Sequence, residues 1–333
     1  MRLPRLPRLA TALLAVTALA LTGCGSGSDD GATDDKAAGQ AGEGFPRTVE
    51  HAMGKTDIPA KPKRVVALDA SFVDATLSLD TQVVGFTEYR TINGSLPDYL
   101  GDDRTKFAAE AQSVGTLAEP NLEKIQALKP DLIISAKVRH EKLYDQLAKI
   151  APTVMSETTG PTWKDNIRMV GKALGQDALA EQELKQYETA AKTVGDAVNK
   201  KAGNPTISVV RFLDGPTRLY QKASFSGIVF KDAGLARPKS QDVEDFAAEI
   251  SAERIKDADA DAIFVTVYAD DKGQGEKTKA QFKANPLWGP LTPKVHEVSD
   301  ITWMTAVGLQ GAWVILTDTA KAFGVPAPVK PAA

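Results

Sequence analysis

The sequence predicts an α/β protein of two parallel-sheet lobes joined by a single rigid spanning helix, with a ligand cleft between the lobes. A repeat is the first reason. Asn121–Ser135 aligns without a gap on Ser251–Val265, and each copy reads as a capping residue, a short helix, an Asp turn and a buried strand. The second is the long helical stretch between the copies, where Trp163, Ile167, Val170 and Leu174 recur at helical spacing. After Gly175-Gln176-Asp177 the period resumes through Leu184, Tyr187, Ala191, Val194 and Val198, until Gly203-Asn204-Pro205 stops it. Rising 1.5 Å per residue, the segment from Pro161 to Leu174 covers roughly 20 Å, enough to cross between two small domains.

At 333 residues, with 43% hydrophobic and 25% charged side chains, the chain can bury two domains of ordinary size. Arg2, Arg5 and Arg8 precede an apolar run from Leu9 to Leu21, and Leu21-Thr22-Gly23-Cys24 follows. That order is a secretory signal, since a bilayer span needs roughly 20 apolar residues. The predicted organisation is a signal peptide over 1–23, a flexible tether over 24–45, a first lobe over 46–160, the spanning helix over 161–175 and a second lobe over 176–333. Cys24 is the only cysteine, which excludes a disulfide framework and a thiolate metal cluster. Leu-Thr-Gly-Cys resembles the bacterial lipobox, which implies that Cys24 is the lipid-modified first residue of the mature protein. Gly25 to Gly44 is rich in Gly, Ser, Ala, Asp and Glu and cannot bury a core. Removing the three signal arginines takes the formal charge from −3 to about −6, which argues against nucleic acid as a partner.

In the first lobe, Arg64–Asp69 and Gln82–Thr87 read as strands separated by a helix over Ser71–Leu79, with later strands at Asp131–Ser135 and Thr153–Met155. Alternating strands and helices imply a parallel sheet with ligand-facing loops at the carboxyl ends of its strands, here 69–72, 88–92 and 136–140. Tyr89-Arg90 places an aromatic ring and a guanidinium in one such loop.

The second lobe offers strands at Thr206–Phe212, Arg218–Gln221, Asp261–Tyr268 and Lys294–Val298, with helices over Ser226–Ala233 and Ala306–Phe323. Arg211 and Phe212 stand at one strand end, and Tyr220, Tyr268 and Trp303 lie at other strand ends or just beyond. An apolar cleft with a few convergent donors is a small-molecule site. Trp163, Trp288 and Trp313 sit at helix-periodic or turn positions and read as packing. There is no phosphate-binding Gly-Lys loop, nucleophile elbow or His-Glu-x-x-His helix. His51, His140 and His296 share no helical face, and only His140 lies in a cleft loop. No nucleophile has an adjacent base, so an enzyme reading lacks residues.

The chain resembles the periplasmic-binding-protein family that serves ABC importers of ferric siderophores, haem and cobalamin. The resemblance runs from Arg64 to Phe323 and rests on Arg64-Val-Val-Ala-Leu, Val83-Val-Gly-Phe, Val114-Gly-Thr-Leu-Ala-Glu-Pro-Asn-Leu-Glu-Lys-Ile with Lys129-Pro-Asp-Leu-Ile-Ile, Ser224-Phe-Ser-Gly with Ala233-Gly-Leu-Ala-Arg-Pro, and Asn285-Pro-Leu-Trp. Two positions depart from the pattern: Asp74 stands where many members carry Glu, and Leu79-Asp80 replaces a usual Leu-Gly. The resemblance implies the class III fold and a substrate-binding lipoprotein on the outer face of the cell membrane, acting as a monomer. Its partners would be a ferric siderophore and an ABC permease, with no cofactor and no direct metal ligand because the siderophore saturates the iron. Tyr89-Arg90 is similar to the Tyr-Arg of ferric-hydroxamate binders, and Val210-Arg211-Phe212 with Trp303 to their second-lobe contacts. Haem or cobalamin is the alternative ligand within the family. Glu123 and Glu253 match the family positions that dock into basic pockets on the permease.

Overall fold

Runs of Val, Ile, Leu and Phe that are buried on both faces become the central strands of two five-stranded sheets. The structure, a computed structural model, describes residues 44–330 apart from Thr91, Asn93 and Asp271. The signal peptide, Cys24 and the tether up to residue 43 lie outside the described residues. Phe45, placed in the tether by sequence, is instead buried and packs against Gly175, because that glycine leaves room for its ring.

The described chain opens on an antiparallel hairpin, β1 (Arg47–His51) and β2 (Gly54–Ile58). The first lobe continues through β3 (Val65–Ala67), α1 (Ala70–Ser78), β4 (Val83–Phe86), α2 (Gly101–Phe107), β5 (Gln112–Ser113), α3 (Leu122–Ala127), β6 (Leu132–Ala136), α4 (Lys137–His140), α5 (Tyr144–Ala148) and β7 (Thr153–Ser156). Its sheet has the order β5-β4-β3-β6-β7 and is parallel throughout. Between α1 and β4, Asp80 takes the left-handed conformation with φ 52°, which glycine adopts most readily.

Helices α6 (Trp163–Leu174) and α7 (Asp177–Ala202), broken at Gly175 with φ 69°, carry the chain into the second lobe. That lobe comprises β8 (Ile207–Phe212), β9 (Thr217–Tyr220), α8 (Phe225–Asp232), β10 (Ala247–Ile250), β11 (Ala262–Val267), α9 (Gln274–Ala284), β12 (Val295–Glu297) and α10 (Leu309–Ala322). Its order is β10-β9-β8-β11-β12, with β8, β11 and β12 parallel and β9 antiparallel to both neighbours. The Leu213-Asp214-Gly215-Pro216 link from β8 to β9 is long enough for a hairpin but not for the crossover that a parallel neighbour needs.

The repeat is carried into three dimensions. Asp131 accepts from the backbone N–H groups of Lys63 and Arg64, both at 2.8 Å, pinning the entry to β3. Asp261 does the same for β8 through the Thr206 N–H at 2.7 Å and its hydroxyl at 2.9 Å. Ile125 and Ile255 are fully buried, while Glu123 and Glu253 are exposed. The copies differ at their caps: the Asn121 side chain accepts from the Lys124 N–H at 2.9 Å and starts an α-helix. Ser251 gives its hydroxyl to Glu253 instead, and the second copy is a 3₁₀ helix over Ala252–Ala258.

One apolar cluster fills the space between the two sheets and includes Phe72 of α1, Trp163 of α6, Tyr187 of α7, Phe225 of α8, Phe264 of β11 and Ile315 of α10. Trp163 meets Tyr187 and Phe225 edge-on at 5.1 and 5.6 Å between centroids. Two smaller clusters cover the outer faces, Val66, Ile125 and Met155 on the first sheet and Phe212, Ile255 and Trp288 on the second.

Asp74 of α1 is fully buried and accepts the N–H groups of Gln310 and Gly311, each at 3.1 Å, so a first-lobe carboxylate closes the amino terminus of α10. Gly308 is required beside it, since a Cβ there would lie 2.4 Å from the carboxyl carbon. Burial pushes the Asp74 carboxyl up to about 7, against the opposing pull of the two N–H donors. A pKa higher in the folded than in the unfolded chain means that folding takes up a proton, and the stability so gained is lost as pH rises toward and through 7. Relative to Asp74→Asn, which cannot ionise, the parent is therefore predicted to lose roughly 1–4 kcal/mol of unfolding free energy between pH 5 and pH 8. Denaturant titrations of both proteins at those pH values check this, and parallel pH profiles would contradict it.

Candidate functional site

Strand parity decides what the second lobe presents. Ile207 and Val209 pack into the central cluster while Val210 and Phe212 pack into the outer one, so Arg211 faces the first lobe and Phe212 cannot. On β11, Ala262 and Phe264 share the inner face, which places Tyr268, just past the strand, on the same side. Tyr220 of β9 is buried beside them.

Arg90, in the loop after β4, reaches this group from the opposite lobe. Its guanidinium carbon lies 4.9 Å from the centroid of the Tyr268 ring, and that of Arg211 lies 5.1 Å from the same centroid. Two arginines from different lobes thus converge on one half-buried tyrosine, at the carboxyl ends of both sheets where α/β folds bind ligands.

Arg211 is held on three sides. Its Nε and Nη2 donate to Asp300 Oδ1 and Oδ2 at 2.7 and 2.6 Å, and its Nη1 donates to the Tyr220 hydroxyl at 3.2 Å. Burial works against its charge, but the Tyr220 and Asp300 oxygens outweigh it and hold the guanidinium above its ordinary range. The first lobe pairs Arg139 with Asp69 more loosely: the exposed Arg139 donates its Nε to Asp69 Oδ2 at 3.1 Å, while Asp69 Oδ1 caps α1 through the Ser71 N–H at 3.0 Å.

The other predicted residues are placed differently. Tyr89 is 3% exposed beneath its loop, donates to the Ala70 carbonyl at 3.4 Å, and has a phenol pushed far up by burial. Phe212 packs on Phe282 and Trp288, at 5.3 and 5.9 Å between centroids. Trp303 has no exposed surface, stacks 4.6 Å from Phe264, and donates its Nε1 to Asp318 at 2.8 Å. The structure therefore assigns Phe212 and Trp303 to the core. His140, expected in a cleft loop, is buried and structural: its Nε2 donates to the Leu117 carbonyl at 2.7 Å and its Nδ1 accepts from the Ser135 hydroxyl at 2.7 Å. No group of three or more His, Cys, Asp or Glu among the described residues could hold a metal ion.

Asp69 and Arg139 fall within the ligand-facing loops 69–72 and 136–140, whereas no sequence pattern points to Asp300. Asp300 is 89 positions from Arg211, so no local pattern marks the pair. Grooves of 640 and 540 Å³ sharing Trp313 lie along α7 and α10 beneath residues 328–330, away from the arginines.

Residues 65–292 match the family model described as "Periplasmic binding protein". The "Probable siderophore-binding lipoprotein YfiY" of Bacillus subtilis is 40% identical over 289 residues, covering 82% of this chain and 86% of its own. The "Fe(3+)-citrate-binding protein YfmC" of the same organism is 28% identical over 322 residues, covering 93% and 94%. Among solved structures, Staphylococcus aureus SirA complexed with staphyloferrin B superposes with a TM-score of 0.75 at 33% identity, covering 84% of this chain and 99% of that one. Since the matched segment contains the whole first sheet, every strand of the second but β12, both arginines and Tyr268, the chain belongs to the periplasmic binding protein family, whose members bind ligands and are not enzymes.

Proposed function

We propose that the chain captures a ferric siderophore between its lobes and delivers it to an ABC permease, and that the siderophore chelates iron through hydroxamates. The observation that carries this is the convergence of Arg90 and Arg211 on Tyr268 from opposite lobes. A hexadentate siderophore satisfies Fe(III) by itself, so the protein need only donate to the iron-bound oxygens and pack on the organic shell. Arginine suits the first task because it offers several donors and does not titrate. Tyrosine suits the second because its ring takes apolar and cationic contacts alike. The names of YfiY and SirA's ligand support the siderophore class, and YfmC favours a second reading, a ferric citrate-type carboxylate complex.

Titration of the purified protein with ferric hydroxamates, ferric citrate, ferric catecholates, haem and cobalamin, followed by calorimetry, tests the ligand. Arg90→Ala and Arg211→Ala are each expected to weaken the preferred ferric complex by about 10- to 100-fold, the worth of one charge-assisted hydrogen bond of roughly 1.5–3 kcal/mol. If both variants stay folded and bind like the parent, the site lies elsewhere.

Glu123 and Glu253 are the permease-docking pair in this reading, exposed at the starts of equivalent helices in the two lobes. Exposed carboxylates govern encounter with a basic partner more than they govern a distant cleft. The double variant Glu123→Ala, Glu253→Ala is expected to abolish cellular uptake of the siderophore while its solution affinity is unchanged; normal uptake would return both residues to the role of helix starts.

The lipid anchor on Cys24 follows the sequence and the lipoprotein naming of YfiY. Cys24→Ser is expected to release the protein from membranes into the soluble fraction on cell fractionation, and full membrane retention would refute the anchor.

A further inference from the structure

Arg211 is an unusual ligand donor because its charge is already answered. Asp300 grips the Nε/Nη2 edge with both oxygens, at 2.7 and 2.6 Å, and the two side chains are only 14% and 13% exposed. A pair this sheltered is weakly screened by solvent. Asp300, Tyr220 and the Tyr268 ring leave the guanidinium no other orientation, yet they use three of its five N–H groups. One hydrogen on Nη1 and one on Nη2 remain for a ligand oxygen.

We propose that Asp300 is a positioning residue that sets the charge class of the ligand: it aims Arg211 while cancelling its charge, so the cleft favours ferric complexes of low net charge over strongly anionic ones. This rests on the ferric-siderophore reading above and narrows it. An uncharged complex, such as iron with three hydroxamates, needs donors at its polarised oxygens and gains little from net positive charge. A triply negative iron tris-catecholate entering the same cleft meets the Asp300 carboxylate, whose repulsion offsets the attraction of the Arg211 it binds.

The test measures two affinities by calorimetry at low salt, for an uncharged ferric tris-hydroxamate and a triply anionic ferric tris-catecholate. The proteins are the parent, Asp300→Asn and Glu249→Gln, the last removing a carboxylate that pairs with Arg218 in the open, where the two are 52% and 37% exposed. The parent is expected to bind the uncharged complex at least tenfold tighter. Asp300→Asn keeps an acceptor for Arg211 but lifts the cancellation, and should shift the ratio of the two affinities at least tenfold toward the trianion; Glu249→Gln should leave the ratio unchanged. If Asp300 were only a structural clamp, its loss would weaken both complexes by the same factor, and an unchanged ratio overturns the proposal. Should Asp300→Asn fail to fold, the parent alone decides, because equal or tighter binding of the trianion overturns the proposal without any variant. A parent that binds neither complex and also ignores ferric dicitrate overturns the siderophore reading itself, a result distinct from an unaltered ratio.

Discussion

A buried first-lobe carboxylate at the amino terminus of the last helix ties the two lobes together. Asp74 takes the N–H groups of Gln310 and Gly311, and Gln310 in turn donates its side-chain amide to Asp103 of α2 at 3.0 Å. An uncompensated carboxylate at that depth would cost several kcal/mol, whereas a helix amino terminus supplies donors and a favourable dipole at once. Neither partner is satisfied without the other. The position of α10 against α1 is therefore specified by polar chemistry, and the apolar residues around it fill the space that this contact defines.

That specification shapes the cleft. Because α1, α6, α7, α8 and α10 contribute to a single apolar cluster between the sheets, the junction of the lobes is a continuation of both cores. Opening it would expose Trp163, Tyr187 and Phe225, each at most 4% exposed, at about 25 cal/mol per Å² of apolar surface. The junction holds the sheets so that their carboxyl ends face one another, and Arg90, in the loop after β4, and Arg211, on β8, then reach one tyrosine although far apart in sequence. The linker deepens this role: α6 ends at Gly175, where Phe45 packs, and Arg47 bonds across to the Lys172 carbonyl at 2.6 Å and to Asp177 at 2.8 Å.

What could be read from sequence was whatever repeats or alternates locally. The matched segments at 121 and 251 announced the duplicated architecture, and their aspartates do the same job in both lobes. Arg90, Arg211 and Tyr268 meet at strand ends, the places where α/β sheets offer side chains to a ligand. Phe212 was misread although the signal was available: neighbours on a strand face opposite ways, so Arg211 and Phe212 could not both enter the cleft. Trp303 gave no such warning, since its place over Phe264 depends on how the π-helical turn at Ile301–Thr305 returns to the sheet. Asp300 was invisible for the same kind of reason. Its role exists only once β12 has brought residue 300 beside β8. The short strands β5 and β10 were also beyond pattern, one having two residues and the other reading Ala-Ala-Glu-Ile.

The pairing of Arg211 with Asp300 beside Tyr268 has a physical logic of its own. A guanidinium left alone in a sheltered cleft would keep its hydration or draw in counter-ions, and binding would have to displace them. Holding it through one edge with a carboxylate removes that cost in advance, because the remaining donors point at the ligand from a fixed frame. Lysine could not be substituted, as its single ammonium cannot give one side to a clamp and the other to a ligand in a fixed plane. The same geometry limits what attraction can contribute, since the clamped Arg211 presents direction without net charge. Recognition in such a cleft then depends on where oxygens sit on the surface of the iron complex, and much less on how much charge the complex carries.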